Sequence, residues 1–303
     1  MKIRPGFIFV ECKYSYPPSI TELEMALRDW ARLGFKYVEL EIVNATHLRE
    51  MHRNKEFIKG LCNDLGLSIT SLIAILPHLG SLEEAQRQAS LSYFNQALDI
   101  AGYFGCEIMD LDSFTPSVQF VDGLPYLEVA PPPNPPEVIM PEDFCWGGQW
   151  DAFVGAVIEC NRRAKGAGIR LEIHPRTYEL ISGTDSFLRL ADCVNDMNLG
   201  VILDTAHSYM QREIIPISIS KLSSKIMSVH VSDSNGFQMD HLPLGEGNID
   251  WESVLQALYK SGFDGQFVID VGGHSSSLDK AFQDSKRILE GHISRVWTDR
   301  KEV

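Results

Sequence analysis

Four short apolar runs in the second half of the chain each carry a carboxylate or a histidine near their C-terminal end. Val201-Ile202-Leu203-Asp204-Thr205-Ala206-His207 shows the pattern in full. An unbroken, partly β-branched run of the kind used by buried parallel strands ends in Asp204, with His207 three residues on. Before it stands Ile169-Arg170-Leu171-Glu172-Ile173-His174. After it come Ile226-Met227-Ser228-Val229-His230-Val231-Ser232-Asp233 and Phe267-Val268-Ile269-Asp270. A charge at the tip of a buried strand is costly unless something pairs it. A single Asp-x-x-His is more often a helix cap or a solvated loop than a functional pair. Four tips in succession, Glu172, Asp204, His230 and Asp270, point to a shared partner, and a divalent metal ion is the simplest one.

These runs belong to a longer rhythm. Strands are expected near residues 6–10, 37–42, 68–73 and 107–112, ahead of the four already named. Amphipathic helices separate them, several ended by a glycine such as Gly34, Gly66, Gly105 or Gly262. A capping box at Thr21 and Glu24 is expected to open the first helix, and residues 55–65 and 152–167 to form later ones. Eight βα units of one length class predict a single (β/α)8 barrel over residues 1–303, with its strand tips converging on one face. The break in the rhythm is an insert at about 113–150. It carries Pro131-Pro132-Pro133 and Pro135-Pro136 with Phe120, Tyr126, Phe144, Trp146 and Trp150, a composition that predicts an ordered lid.

The net charge of −14 opposes a dominant role in gripping nucleic acid phosphates. The six cysteines form no C-x-x-C pair and suit reduced thiols in a cytoplasmic protein. No apolar run reaches the length of a membrane span.

Carboxylates with an imidazole make a hard to borderline site suited to Mn²⁺, Mg²⁺, Co²⁺ or Zn²⁺. One such ion would polarise a substrate carbonyl and stabilise an enediolate while a ligating carboxylate moves the proton. The residues around Glu172, the Asp204-x-x-His207 pair, Val229-His230-Val231-Ser232-Asp233 and Pro243-Leu244-Gly245-Glu246-Gly247-Asn248-Ile249-Asp250-Trp251 resemble the xylose isomerase-like TIM barrels. That group includes sugar isomerases and epimerases, inosose-processing enzymes and endonuclease IV. The resemblance implies Glu172, Asp204, His230 and Asp270 as metal ligands, Glu172 and Asp270 as the acid/base pair, and His207 as a substrate contact. His174, His78, His241 and Glu41 are further candidates for substrate contact, Asp233 for orienting the His230 loop or holding a second ion, and His47, His52 and His292 for the surface.

Two departures narrow the reading. The family's eighth strand usually ends in Glu, whereas this one ends in the shorter Asp270. The arginine that ketohexose epimerases of the family place soon after the seventh-strand histidine is missing, since no arginine occurs between Arg212 and Arg287. The expected function is a metal-dependent isomerase or epimerase of a small unphosphorylated keto-sugar, polyol or keto-glycoside. It would have no nucleic acid or membrane partner and would be able to form homo-oligomers. The alternatives are a zinc phosphodiesterase of the endonuclease IV type, a related lyase or dehydratase, and a non-catalytic sugar-binding barrel.

Overall fold

The computed structural model describes residues 1–121, 123, 136–237 and 239–298. Eight parallel strands form the central sheet: β1 (Lys2–Pro5), β2 (Tyr37–Ile42), β3 (Ser68–Ala74), β4 (Ile108–Asp112), β7 (Arg170–His174), β8 (Leu199–Asp204), β9 (Ile226–Val231) and β10 (Gln266–Ile269). Their hydrogen-bonded order is β1-β10-β9-β8-β7-β4-β3-β2, and β1 packs beside β2, so the sheet is a nearly closed barrel. Strands β5 (Gln119–Phe120) and β6 (Val138–Ile139) form a small antiparallel hairpin inside the insert.

The principal outer helices are α2 (Ile20–Arg32), α3 (Ala45–Leu65), α4 (Glu84–Phe104), α5 (Trp146–Gly166), α6 (Thr184–Val194), α8 (Ile215–Leu222), α9 (Trp251–Lys260) and α10 (Ser275–Thr298). Each packs on the next around the barrel. Two short helices, α1 (Ile8–Lys13) and α7 (Thr205–Met210), lie at the strand tips. Among the described residues no helix is long and apolar enough to cross a membrane.

The start of the chain differs from expectation. The first strand is Lys2–Pro5, paired with Gln266–Ile269, and the apolar run expected as a strand begins α1 instead. Phe7, Ile8, Phe9 and Val10 are all buried, so periodicity could not separate a strand from a helix there. Gly6 continues the pairing by donating to the Ile269 carbonyl at 2.8 Å. A Cβ at this position would run into Asp270 Oδ1, so only glycine lets the first strand approach the tip of the last.

Other boundaries shift for local reasons. Ser19, not Thr21, caps α2: its hydroxyl accepts from Glu22 N at 3.3 Å, and Glu22 returns a bond to Ser19 N at 2.8 Å. Asn44 caps α3 ten residues ahead of the expected start, accepting from Thr46 and His47 N. His47 is therefore buried rather than superficial, accepting from Val43 N, and its imidazole is pushed down to about 4 by burial. Helix α5 begins at Trp146, so the last aromatics assigned to the insert belong to that helix. Tyr126, Pro131-Pro132-Pro133 and Pro135 lie outside the described residues.

The lower barrel interior is ionic. Arg4 has no exposed surface; its Nε lies 3.0 Å from Glu39 Oε2, and its Nη2 lies 3.8 Å from both Asp110 Oδ2 and Glu172 Oε1. Arg4 also donates to Gln266 Oε1 at 3.1 Å and, at longer range, to Thr70 and Ser228. Burial, with the Glu172 charge adding to it, holds the Asp110 carboxyl well above the usual carboxylate range. One guanidinium thus faces three buried carboxylates.

Candidate active site

Above this ionic layer, at the C-terminal strand ends, lies a cavity of about 410 Å³. Strand geometry brings the tips together. Asp204 is in register with His230 across β8 and β9, and Asp270 follows β10 directly. One ligand atom each from Asp204, His230 and Asp270 lies within 4.8 Å of the others. His174, Asp204 and His207 form a second such set.

His230 is buried, and neither of its ring nitrogens has a hydrogen-bond partner; Nδ1 lies 3.5 Å from Asp270 Oδ2. Burial opposes its imidazolium, but Asp270, Glu39 and Asp204 outweigh that and raise it to about 9. The pocket floor therefore demands positive charge, which a proton on His230 or a divalent cation would supply. Two carboxylates and imidazoles are a donor set that Mn²⁺, Co²⁺ or Zn²⁺ accepts.

Asp204 and His207 meet through a helical turn. The Asp204 carboxylate caps α7, accepting from His207 N at 2.9 Å. The capping and functional readings of Asp-x-x-His are thus one arrangement. His207 Nδ1 accepts from Thr177 N at 3.1 Å, and burial keeps the ring neutral. A backbone N–H only donates, so the proton of the neutral ring sits on Nε2.

His241 lines the cavity with Nδ1 3.4 Å from Asp270 Oδ2, its ring 5.5 Å from that of His207. Glu41 also lines the cavity and accepts from the Tyr16 hydroxyl. Two expected residues lie elsewhere. His78 is exposed beyond Pro77, which does line the cavity. Glu172 is fully buried and bonded to Ser228 Oγ at 2.9 Å, in neither set of ligand atoms and not on the cavity wall.

Sequence reasoning missed Arg176. It lines the cavity, donating to Asp112 Oδ2 at 2.9 Å, with Nε 3.7 Å from Glu179 Oε1. The available signal was position: it stands two residues beyond the end of β7, in a βα loop at the functional face.

Asp233 organises the most distinctive motif. Its carboxylate accepts from Ser234 N, Gly245 N, Ile249 N and Trp251 Nε1 at 2.8–3.1 Å. A Cβ on Gly247 would collide with Asp233 Oδ1, which explains the glycine. Asp250 then caps α9 through Ser253 N. The segment from Gly245 to Trp251 is a loop wound around one buried carboxylate.

A family model described as xylose isomerase-like TIM barrel matches residues 27–292. The chain belongs to that family. A ketose 3-epimerase of Arthrobacter globiformis is 30% identical over 157 residues, which are 50% of this chain and 49% of that protein. The chain thus spans about half the length of that curated relative. Solved structures share the family fold over nearly the whole chain. A D-tagatose 3-epimerase-like protein superposes with a TM-score of 0.75 at 19% identity, covering 99% of each chain. The IOLI protein with a binding zinc atom gives 0.73 at 16% identity, covering 98% of this chain and 99% of that one.

Proposed function

We propose that this chain is a divalent-metal-dependent epimerase or isomerase of a small, unphosphorylated keto-sugar or related polyol. The observation that carries this reading is the convergence of one ligand atom each from Asp204, His230 and Asp270, the last two on the cavity wall, with both His230 ring nitrogens unpartnered. The names of the relatives support it, and the zinc atom of the IOLI protein supports the choice of a divalent ion. A bound ion would polarise a carbonyl and acidify the neighbouring C–H.

The chain's own residues supply the rest. His207 presents Nε2–H to the cavity as a donor for a substrate oxygen. Asp270 is the expected proton carrier that lines the wall. Glu11 also faces the cavity; burial pushes its carboxyl up to about 7, against the opposing charge of Arg176. That proton affinity suits exchange near neutral pH.

Substrate charge follows from the walls. Glu11, Glu39, Glu41, Asp112 and Asp270 line the cavity, and the one guanidinium among its lining residues, Arg176, is engaged by Asp112 and Glu179. No unengaged guanidinium among the described lining residues is left to clamp a phosphorylated sugar or a nucleic acid backbone. Phe114, near the start of the insert, lines the cavity, which supports the insert as a cover within one barrel domain. All six cysteines are unpaired, which supports a reducing cytoplasm.

The test is solvent deuterium incorporation into unphosphorylated ketoses, followed by NMR with the metal-loaded protein. Exchange at the carbon beside the carbonyl is expected, and its absence across ketoses and keto-glycosides would contradict the reading. A carboxyl at about 7 that works ionised makes kcat/KM rise with pH and level off above neutrality. Glu11→Gln should remove that limb and cut the plateau roughly 100-fold. An unchanged profile in the variant would assign the limb to another group.

A further inference from the structure

We propose that His174, and not Glu172, completes the cation site with Asp204, His230 and Asp270. The inference rests on the reading that these strand tips hold a divalent ion. His174 and Glu172 are two apart on β7 and share its inward face, so they differ only in depth, by roughly 6.6 Å along the strand. Depth decides which of them reaches the ion.

His174 is at the right level. Its Nε2 lies 3.1 Å from Asp204 Oδ2, and its ring centroid is 4.7 Å from that of His230. An ion bound to Asp204 and His230 therefore lies within reach of His174. Behind the ring, Nδ1 is 3.7 Å from Asp112 Oδ1, while Arg176 holds the other oxygen of Asp112 at 2.9 Å. A carboxylate behind one imidazole nitrogen, with the other aimed at a ligating carboxylate, is the support that metal-bound histidines commonly have. Asp112 and Arg176 are positioning residues in this account.

Glu172 is committed one layer below. Its Oε1 accepts from Ser228, which precedes His230 by two residues on the inward face of β9. The same oxygen lies 3.8 Å from Arg4. Raising Glu172 to the ion would take from Arg4 one of the three buried carboxylates that it faces.

The experiment is Mn²⁺ titration by calorimetry, with elemental analysis, on the parent, His174→Ala, Glu172→Gln and Asp112→Asn. The parent should bind one ion per chain. His174→Ala should lose more than about 100-fold in affinity, beyond the 10–100-fold that an outer partner gives, and Asp112→Asn should fall within that smaller range. Glu172→Gln should stay within about 3-fold of the parent. Loss of the ion in Glu172→Gln, or parental affinity in His174→Ala, would overturn the assignment. Should Glu172→Gln not fold, His174→Ala and Asp112→Asn decide it alone. A parent that binds no ion would instead overturn the functional reading on which the assignment rests.

Discussion

His230→Ala is expected to empty the candidate metal site and abolish turnover while leaving the barrel folded. His230 stands in register with Asp204 and beside Asp270, and its ring nitrogens have no other partner to hold. Without the imidazole, a cation would lose a nitrogen donor between the two carboxylates. Lewis-acid polarisation of a carbonyl contributes several kcal/mol of transition-state stabilisation, so kcat should fall by about 10³-fold or more. Metal content and solvent exchange should fall together, with the circular dichroism spectrum unchanged. A variant that keeps its metal and its turnover would remove His230 from the site.

Arg4→Met should be the most destabilising single change in the barrel interior. Arg4 is the central cation facing Glu39, Asp110 and Glu172, and it also bonds Gln266, Thr70 and Ser228. Removing one partner of a buried ion cluster strands the others, at a cost of about 3–5 kcal/mol. Methionine keeps much of the side-chain volume, so the loss reads charge rather than a void. Urea unfolding should show a lower midpoint, and adding Glu39→Gln to Arg4→Met should recover part of it. An unfolding free energy within about 1 kcal/mol of the parent would mean that these carboxylates are already neutral and that Arg4 is packing rather than counter-charge.

The barrel was readable because its grammar is local. Apolar runs, glycine stops and the length of each βα unit predict eight strands, and the barrel sheet has eight among the described residues. The beginning was not readable. The run from Phe7 to Val10 is buried on every side, and what ends the first strand is the approach of Gly6 to Asp270, a contact between chain ends. Asp204, His230 and Asp270 were legible as candidate ligands because each stands at or directly after a strand tip. The choice between Glu172 and His174 was not, because both face inward and only the strand stagger and Arg4 on the far side of the barrel set their depth. Arg176, Glu11 and Tyr16 come from segments following strands, where sequence carries no period to betray which way a side chain turns. The motif from Gly245 to Trp251 was distinctive for a structural reason: it is built around Asp233.

The central claim is that the strand tips hold one divalent cation. Elemental analysis of protein purified without added metal, repeated after reconstitution with Mn²⁺, Co²⁺ and Zn²⁺ and beside His230→Ala, tests it most directly. The account predicts about one ion per chain in the parent and none in the variant. A parent that holds no ion even after reconstitution, or a variant that holds as much as the parent, would contradict it.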